Sequence, residues 1–123
     1  MIKILVVNRD EKNFGDLISA LKGNGDIELE LSDSGEKALA EVADKAIDLV
    51  VTDEDLGDMT GLELVKGILK INCMINFAVV SGLSAGDFHE ASEGLGVMTQ
   101  LPKRPDKNDA DDMIKTLRRI KGM

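Results

Sequence analysis

Apolar positions along the chain follow two alternating periods. Ile2-Lys3-Ile4-Leu5-Val6-Val7 is a nearly continuous β-branched run, the pattern of a strand covered on both faces. Phe14, Leu17, Ile18 and Leu21 then recur at helical spacing, and Gly23 and Gly25 end that helix. Ile27, Leu29 and Leu31 alternate with Glu28 and Glu30, which predicts a half-exposed edge strand. Ser34-Gly35 turns the chain, and Leu39, Val42, Ala43 and Ala46 predict a second helix. Residues 47–52 predict the third strand, and Leu62, Val65 and Leu69 the face of the third helix. Phe77-Ala78-Val79-Val80 predicts a fourth strand that ends at Ser81-Gly82. Phe88, Ala91 and Leu95 give a weaker fourth helix, because Gly86, Gly94 and Gly96 flank or interrupt it at about 1 kcal/mol each relative to alanine. Residues 97–101 read as the other edge strand. Ala110, Met113, Ile114 and Leu117 form the last helix, with Asp106, Asn108 and Asp109 at its start and Lys115, Arg118, Arg119 and Lys121 at its end, each charge matching the helix dipole.

Strand and helix alternate five times without repeat or linker, so residues 1–123 are expected to form one domain with a parallel sheet and right-handed crossovers. The first, third and fourth strands carry the densest apolar runs and belong in the middle. The expected fold is therefore a flavodoxin-like (βα)5 three-layer sandwich of α/β class, with strand order 2-1-3-4-5. Its switch point lies between the first and third strands, which gathers Asn8, Arg9, Asp10 and Asp53 around one crevice.

Composition narrows the function. The net charge is −8, from 23 Asp and Glu against 15 Lys and Arg, which argues against binding to nucleic acid or an anionic membrane. Three Phe with no Trp or Tyr leave little for base stacking. No apolar run approaches the ~18 residues of a membrane span. The chain begins directly in a strand-like segment without a leader pattern, so a cytoplasmic location is expected. The single Cys73 agrees with a reducing compartment and reads as a small apolar residue, the scattered Met residues as core filler, and His89 as a surface residue.

The crevice holds the chemistry. Asp53 follows the third strand at its carboxyl end, where open α/β sheets process ligands. The carboxylates of Asp10, Glu11 and Asp53 could surround Mg²⁺, which favours oxygen ligands and phosphate. A carboxylate placed there can also attack a phosphoryl group and become an aspartyl-phosphate. The Ser81 hydroxyl and a cation at Lys103 or Arg104 would meet the new phosphate oxygens.

Asp53-Glu54-Asp55-Leu56-Gly57-Asp58-Met59-Thr60-Gly61, with Ser81-Gly82 and Lys103 at their separations downstream, resembles the receiver domain of two-component response regulators over residues 2–120. The resemblance implies that Asp53 is the phosphoacceptor, served by a sensor histidine kinase or phosphotransferase. It implies that Ser81, Gly82 and Lys103 contact the phosphate and that the Asp55 carbonyl helps to hold Mg²⁺. The protein would not be an enzyme. It would act as a stand-alone cytoplasmic receiver, docking a downstream protein through the face formed by the fourth helix, fifth strand and fifth helix. A homodimer through the last helices is compatible with this reading.

The sequence departs from that family at named places. Asn8 and Arg9 stand where the family carries two acidic metal-holding residues, so Mg²⁺ would be held weakly through Asn8 or Asp10 with Asp53 and Asp55. Alternatively, the Arg9 guanidinium takes the metal's place and pairs with Asp53, giving a phosphate-independent pseudo-receiver. Gln100 replaces the family's switch aromatic, Arg104 its proline after the lysine, and Gly57 the proline of the loop. Lys103 is preferred by spacing over a shifted Arg104-Pro105 pair.

Overall fold

The central strands are apolar at almost every position because each has a helical layer on both sides. In the computed structural model, which describes residues 2–122, β1 (Ile2–Val7), β2 (Ile27–Ser32), β3 (Leu49–Thr52), β4 (Asn76–Val80) and β5 (Val97–Leu101) form one parallel sheet. Its order is β2-β1-β3-β4-β5. Helices α1 (Gly15–Lys22), α2 (Gly35–Asp44), α3 (Gly61–Ile71), α4 (Ala85–Ser92) and α5 (Lys107–Lys121) connect and follow the strands. This is the flavodoxin-like arrangement expected from the alternation.

Period two along β1 divides its residues between two cores. Ile2, Ile4 and Val6 pack with Leu17 and Leu21 of α1 and Met113 and Leu117 of α5. Leu5 and Val7 pack on the other face with Ala38 and Val42 of α2, Leu64, Val65 and Ile68 of α3, and Phe88 of α4. Fully buried side chains of this size contribute roughly 1.5–3 kcal/mol each.

The helix starts are written locally. Thr60 and Glu63 form a capping box on α3, and Asp106 and Asp109 another on α5. Ser34 and Ser84 cap α2 and α4 through their side-chain oxygens. One cap comes from far away. Asp58, on the loop before α3, accepts from the Gly35 and Glu36 N–H groups at 3.0 Å each and ties that loop to α2. Those two bonds hold its carboxyl below the ordinary range.

Several local expectations change. The second helix ends at Asp44, so Ala46 lies beyond it and Ala43 is exposed. Its buried stripe is Gly35, Ala38 and Val42, because Lys45 leaves in extended geometry with its ammonium on Glu30 and Glu41. The third strand begins at Leu49 rather than residue 47. Asp48 instead receives Lys3 N–H at 2.8 Å and the Lys121 ammonium at 2.7 Å, while Ile47 stays buried ahead of the strand. The fourth helix stops at Ser92, leaving Ala91 exposed and Leu95 in a turn carried by Gly94 and Gly96 at positive φ. At the β2 edge Leu31 is exposed rather than covered. Cys73 and Met74 are exposed on the loop before β4, contrary to their reading as apolar filler.

Candidate functional site

The carboxyl ends of β1, β3 and β4 converge on one edge. Asp53 N–H donates to Val7 O at 3.0 Å, continuing the β1–β3 ladder one residue past the strand. This sets Asp53 beside Asn8, whose Nδ2 donates to Asp53 Oδ2 at 3.3 Å. Glu54 N–H donates to Asp53 Oδ1 at 2.7 Å. Ser81 N–H donates to Leu101 O, which fixes the end of β4 against β5.

The loop after Asp53 doubles back on itself. Leu56 N–H donates to Met59 O and Gly61 N–H to Glu54 O. A Cβ on Gly61 would collide with the Asp53 carbonyl oxygen, so this close approach admits only glycine. Gly57 sits at φ 86°, with the Arg9 side chain lying over it.

A cavity of about 250 Å³ opens at this edge, lined by Arg9, Asp10, Asn13, Asp53, Glu54, Asp55 and Lys103. Lys103, and not Arg104, faces it. Ser81 lies in a neighbouring, mostly apolar cavity of about 190 Å³ with Leu62, Val80, Leu83 and Phe88, and Glu54 lines both. The Ser81 hydroxyl accepts from Leu83 N–H at 3.1 Å. Gly82 N–H donates to Glu54 Oε2 at 2.8 Å, and the Lys103 stem lies over Gly82.

The alternative pairing of Arg9 with Asp53 is not what the geometry gives; Arg9 turns outward instead. Arg9 Nη2 lies 4.0 Å from Asp55 Oδ2, both side chains being more than half exposed, an ion pair of ~0–1 kcal/mol. Asp53 has its oxygens bonded to Asn8 and Glu54, while Gly57 leaves open space for the guanidinium. Arg9 still acts on Asp53 through charge. Burial pushes the Asp53 carboxyl above its ordinary value. The Glu54 N–H draws it back, the charges of Glu54 and Asp55 push it up again, and Arg9 draws it down.

The donor set bears directly on a metal. Receiver domains in general hold Mg²⁺ at their acidic pocket. Here Asp10 is turned to cap its own 3-10 turn, accepting from Lys12 N–H at 3.0 Å. The Asp55 carboxylate accepts from Gly57 N–H at 2.8 Å and faces Arg9. The side chain of Glu11 lies outside the described residues. Asn8 Oδ1 is buried without a hydrogen-bond partner and offers a cation one neutral oxygen beside Asp53. Among the described residues no group of three or more His, Cys, Asp or Glu is arranged for a metal ion. The acids that line the cavity with Asp53 are thus turned to backbone N–H groups or to Arg9, and a cation there would sit beside a guanidinium, which does not fit a Mg²⁺ centre.

Two features lay beyond sequence reasoning. Gln100 reads along the chain only as the loss of an aromatic. In the fold its Nε2 donates to Ser81 O at 3.2 Å and Leu83 O at 2.8 Å, fastening the β4–α4 loop. Glu54 reads as one more loop acid, and nothing in the sequence pairs it with Gly82.

The family model for the response regulator receiver domain matches residues 4–115. The chain is 28% identical over 103 residues to a response regulator receiver protein of Anaeromyxobacter sp. (strain Fw109-5), covering 84% of this chain and 43% of that one. It is 34% identical over 102 residues to the transcriptional regulatory protein ZraR of Salmonella typhimurium, covering 83% of this chain and 23% of that one. The chain thus spans less than half the length of these curated relatives. Among solved structures it superposes on a CheY-like response regulator receiver domain protein from Methanospirillum hungatei JF-1, with TM-score 0.85, 23% identity and coverage of 99% and 98% of the two chains. A two-component response regulator from Clostridium difficile gives TM-score 0.86 at 20% identity, with all of both chains covered. No helix among the described residues is long and apolar enough to cross a membrane. The chain belongs to the response regulator receiver domain family.

Proposed function

We propose that this receiver takes a phosphoryl group on Asp53 and converts it into a change of docking surface. The observation that supports this best is the shared cavity of Asp53, Lys103 and Arg9 at the carboxyl edge of β3. Asp53 attacks the phosphorus of an acyl phosphate or a phosphohistidine. The new Asp53 O–P bond forms as the donor's bond to phosphorus breaks, and the donor leaves as a carboxylate or imidazole. Lys103 and Arg9 supply positive charge to the transferred group, and no step is assigned to a divalent cation. Ser81 and the Gly82 N–H receive the phosphate oxygens once the β4–α4 loop closes on them.

The chain itself is assigned no catalytic turnover; it receives from a histidine kinase or phosphotransferase and signals through a downstream protein. The exposed Leu83 beside α4 and the thinly buried α4–β5 edge make the α4–β5–α5 face the candidate docking surface, with self-association through α5 as one form of output. A second reading, a phosphate-independent interaction module, is favoured by the Asn8–Arg9 pair and by the Gln100 fork that holds the loop in one position.

Incubation with acetyl phosphate, read by intact mass, separates the two. One added phosphoryl group that Asp53→Asn removes is the expected result. No adduct at high donor concentration would favour the module.

A further inference from the structure

We propose that the Glu54 side chain is an internal gate, a carboxylate seated on the Gly82 N–H that must leave before a phosphoryl group on Asp53 can be received there. This rests on Asp53 being the acceptor. Four features carry it. Glu54 is anchored next to the acceptor by its own N–H on Asp53 Oδ1 at 2.7 Å, while its side chain reaches to the other loop and takes Gly82 N–H at 2.8 Å. Glu54 is the residue common to the Asp53 cavity and the Ser81 cavity, so it borders both the acceptor and the hydroxyl. Glu54 Oε2 and Lys103 Nζ lie 3.9 and 3.7 Å from the Cβ position of Gly82, so the carboxylate and the cation that a phosphoryl group would meet flank the same glycine. Finally, Gln100 ties the carbonyls on either side of Gly82, so the loop presents its central N–H to Glu54 in a fixed direction.

The physical consequence is competition. A charge-assisted N–H bond to a carboxylate is stronger than a neutral one, and a second negative charge beside Asp53 repels an incoming phosphoryl dianion. Once attached, the phosphoryl group brings more charge and three acceptor oxygens, and it displaces the carboxylate. Glu54 is exposed and returns to water when displaced. It therefore slows entry without abolishing it.

The test compares the full chain with Glu54→Gln and Glu54→Ala, using acetyl phosphate as donor and intact mass as readout. The Gly82 amide resonance reports the hydrogen bond directly. Phosphorylation is expected to be about tenfold faster in Glu54→Ala than in the wild type, with Glu54→Gln between them. The Gly82 amide should move on substitution, and Asp53→Asn/Glu54→Ala should take up nothing. Equal or slower rates in both variants, with the wild type phosphorylated, would overturn the gate and leave the Asp53 assignment standing. If no variant forms an adduct, the Asp53 assignment falls and the gate falls with it.

Discussion

The two sides of the crevice differ in what they can hold. On the β4–β5 side, the Gly82 N–H already holds the Glu54 carboxylate, with the Ser81 hydroxyl and Lys103 beside that glycine. On the β1 side, an amide and a guanidinium stand where a divalent cation would need acids, and the nearby acid is spent on capping a turn. On the proposed function, the first half is the one that receives phosphate, and the second carries fixed positive charge in place of acids. A phosphoryl site can therefore lose its metal ligands and keep its receiving groups, provided that charge returns from another source. Under the proposed function that source is Arg9, which is held only by an exposed pairing with Asp55.

The most severe break is at the residue both sides share. Asp53→Asn should abolish phosphoryl incorporation from acetyl phosphate, measured by intact mass. Breaking the β5 side alone, Lys103→Met should slow incorporation by about 100-fold, the cost of losing one charged contact to the reacting group. The side chain is exposed, so the thermal midpoint should stay at the wild-type value. The β1 side is sharpened by restoring an acid. Arg9→Asp should gain a Mg²⁺ dependence of about tenfold in rate, read as the ratio with and without chelator, while the wild type shows little.

The smallest effect is on stability. Asp53 has its proton affinity raised in the fold, so the ionised carboxylate favours unfolding once pH exceeds both its unfolded and folded values. Asp53→Asn should therefore stabilise the protein at neutral pH. With the group half-buried and screened, the gain stays under about 1 kcal/mol. It should fade as pH falls below the ordinary carboxylate range, where wild-type Asp53 is neutral in both states. Denaturant melts at neutral and acidic pH check the sign.

The framework was readable because periodicity is a local signal. The runs at 2–7 and 77–80 and the spacing of Phe14, Leu17, Ile18 and Leu21 lead directly to β1, β4 and α1. Element ends were less readable. The end of α2 depends on Lys45 finding Glu30, a residue of another element. In the site, placement of Asn8, Arg9, Asp53 and Lys103 at one edge follows from strand order. Their partners do not. Whether Arg9 meets Asp53 or Asp55 turns on the oxygens of Asp53 being used and on the space over Gly57. The bonds of Glu54 to Gly82 and of Gln100 to the Ser81 and Leu83 carbonyls join loops distant in sequence, and no spacing rule announces them.

The most direct measurement is the initial rate of phosphoryl attachment to Asp53 from acetyl phosphate, with the site located by peptide mass, in excess chelator and in excess Mg²⁺. Attachment at Asp53 under both conditions, at rates within about twofold, is the predicted result when protein cations carry the charge. An absence of phosphoryl on Asp53 in both, or its attachment only with Mg²⁺, would contradict the account.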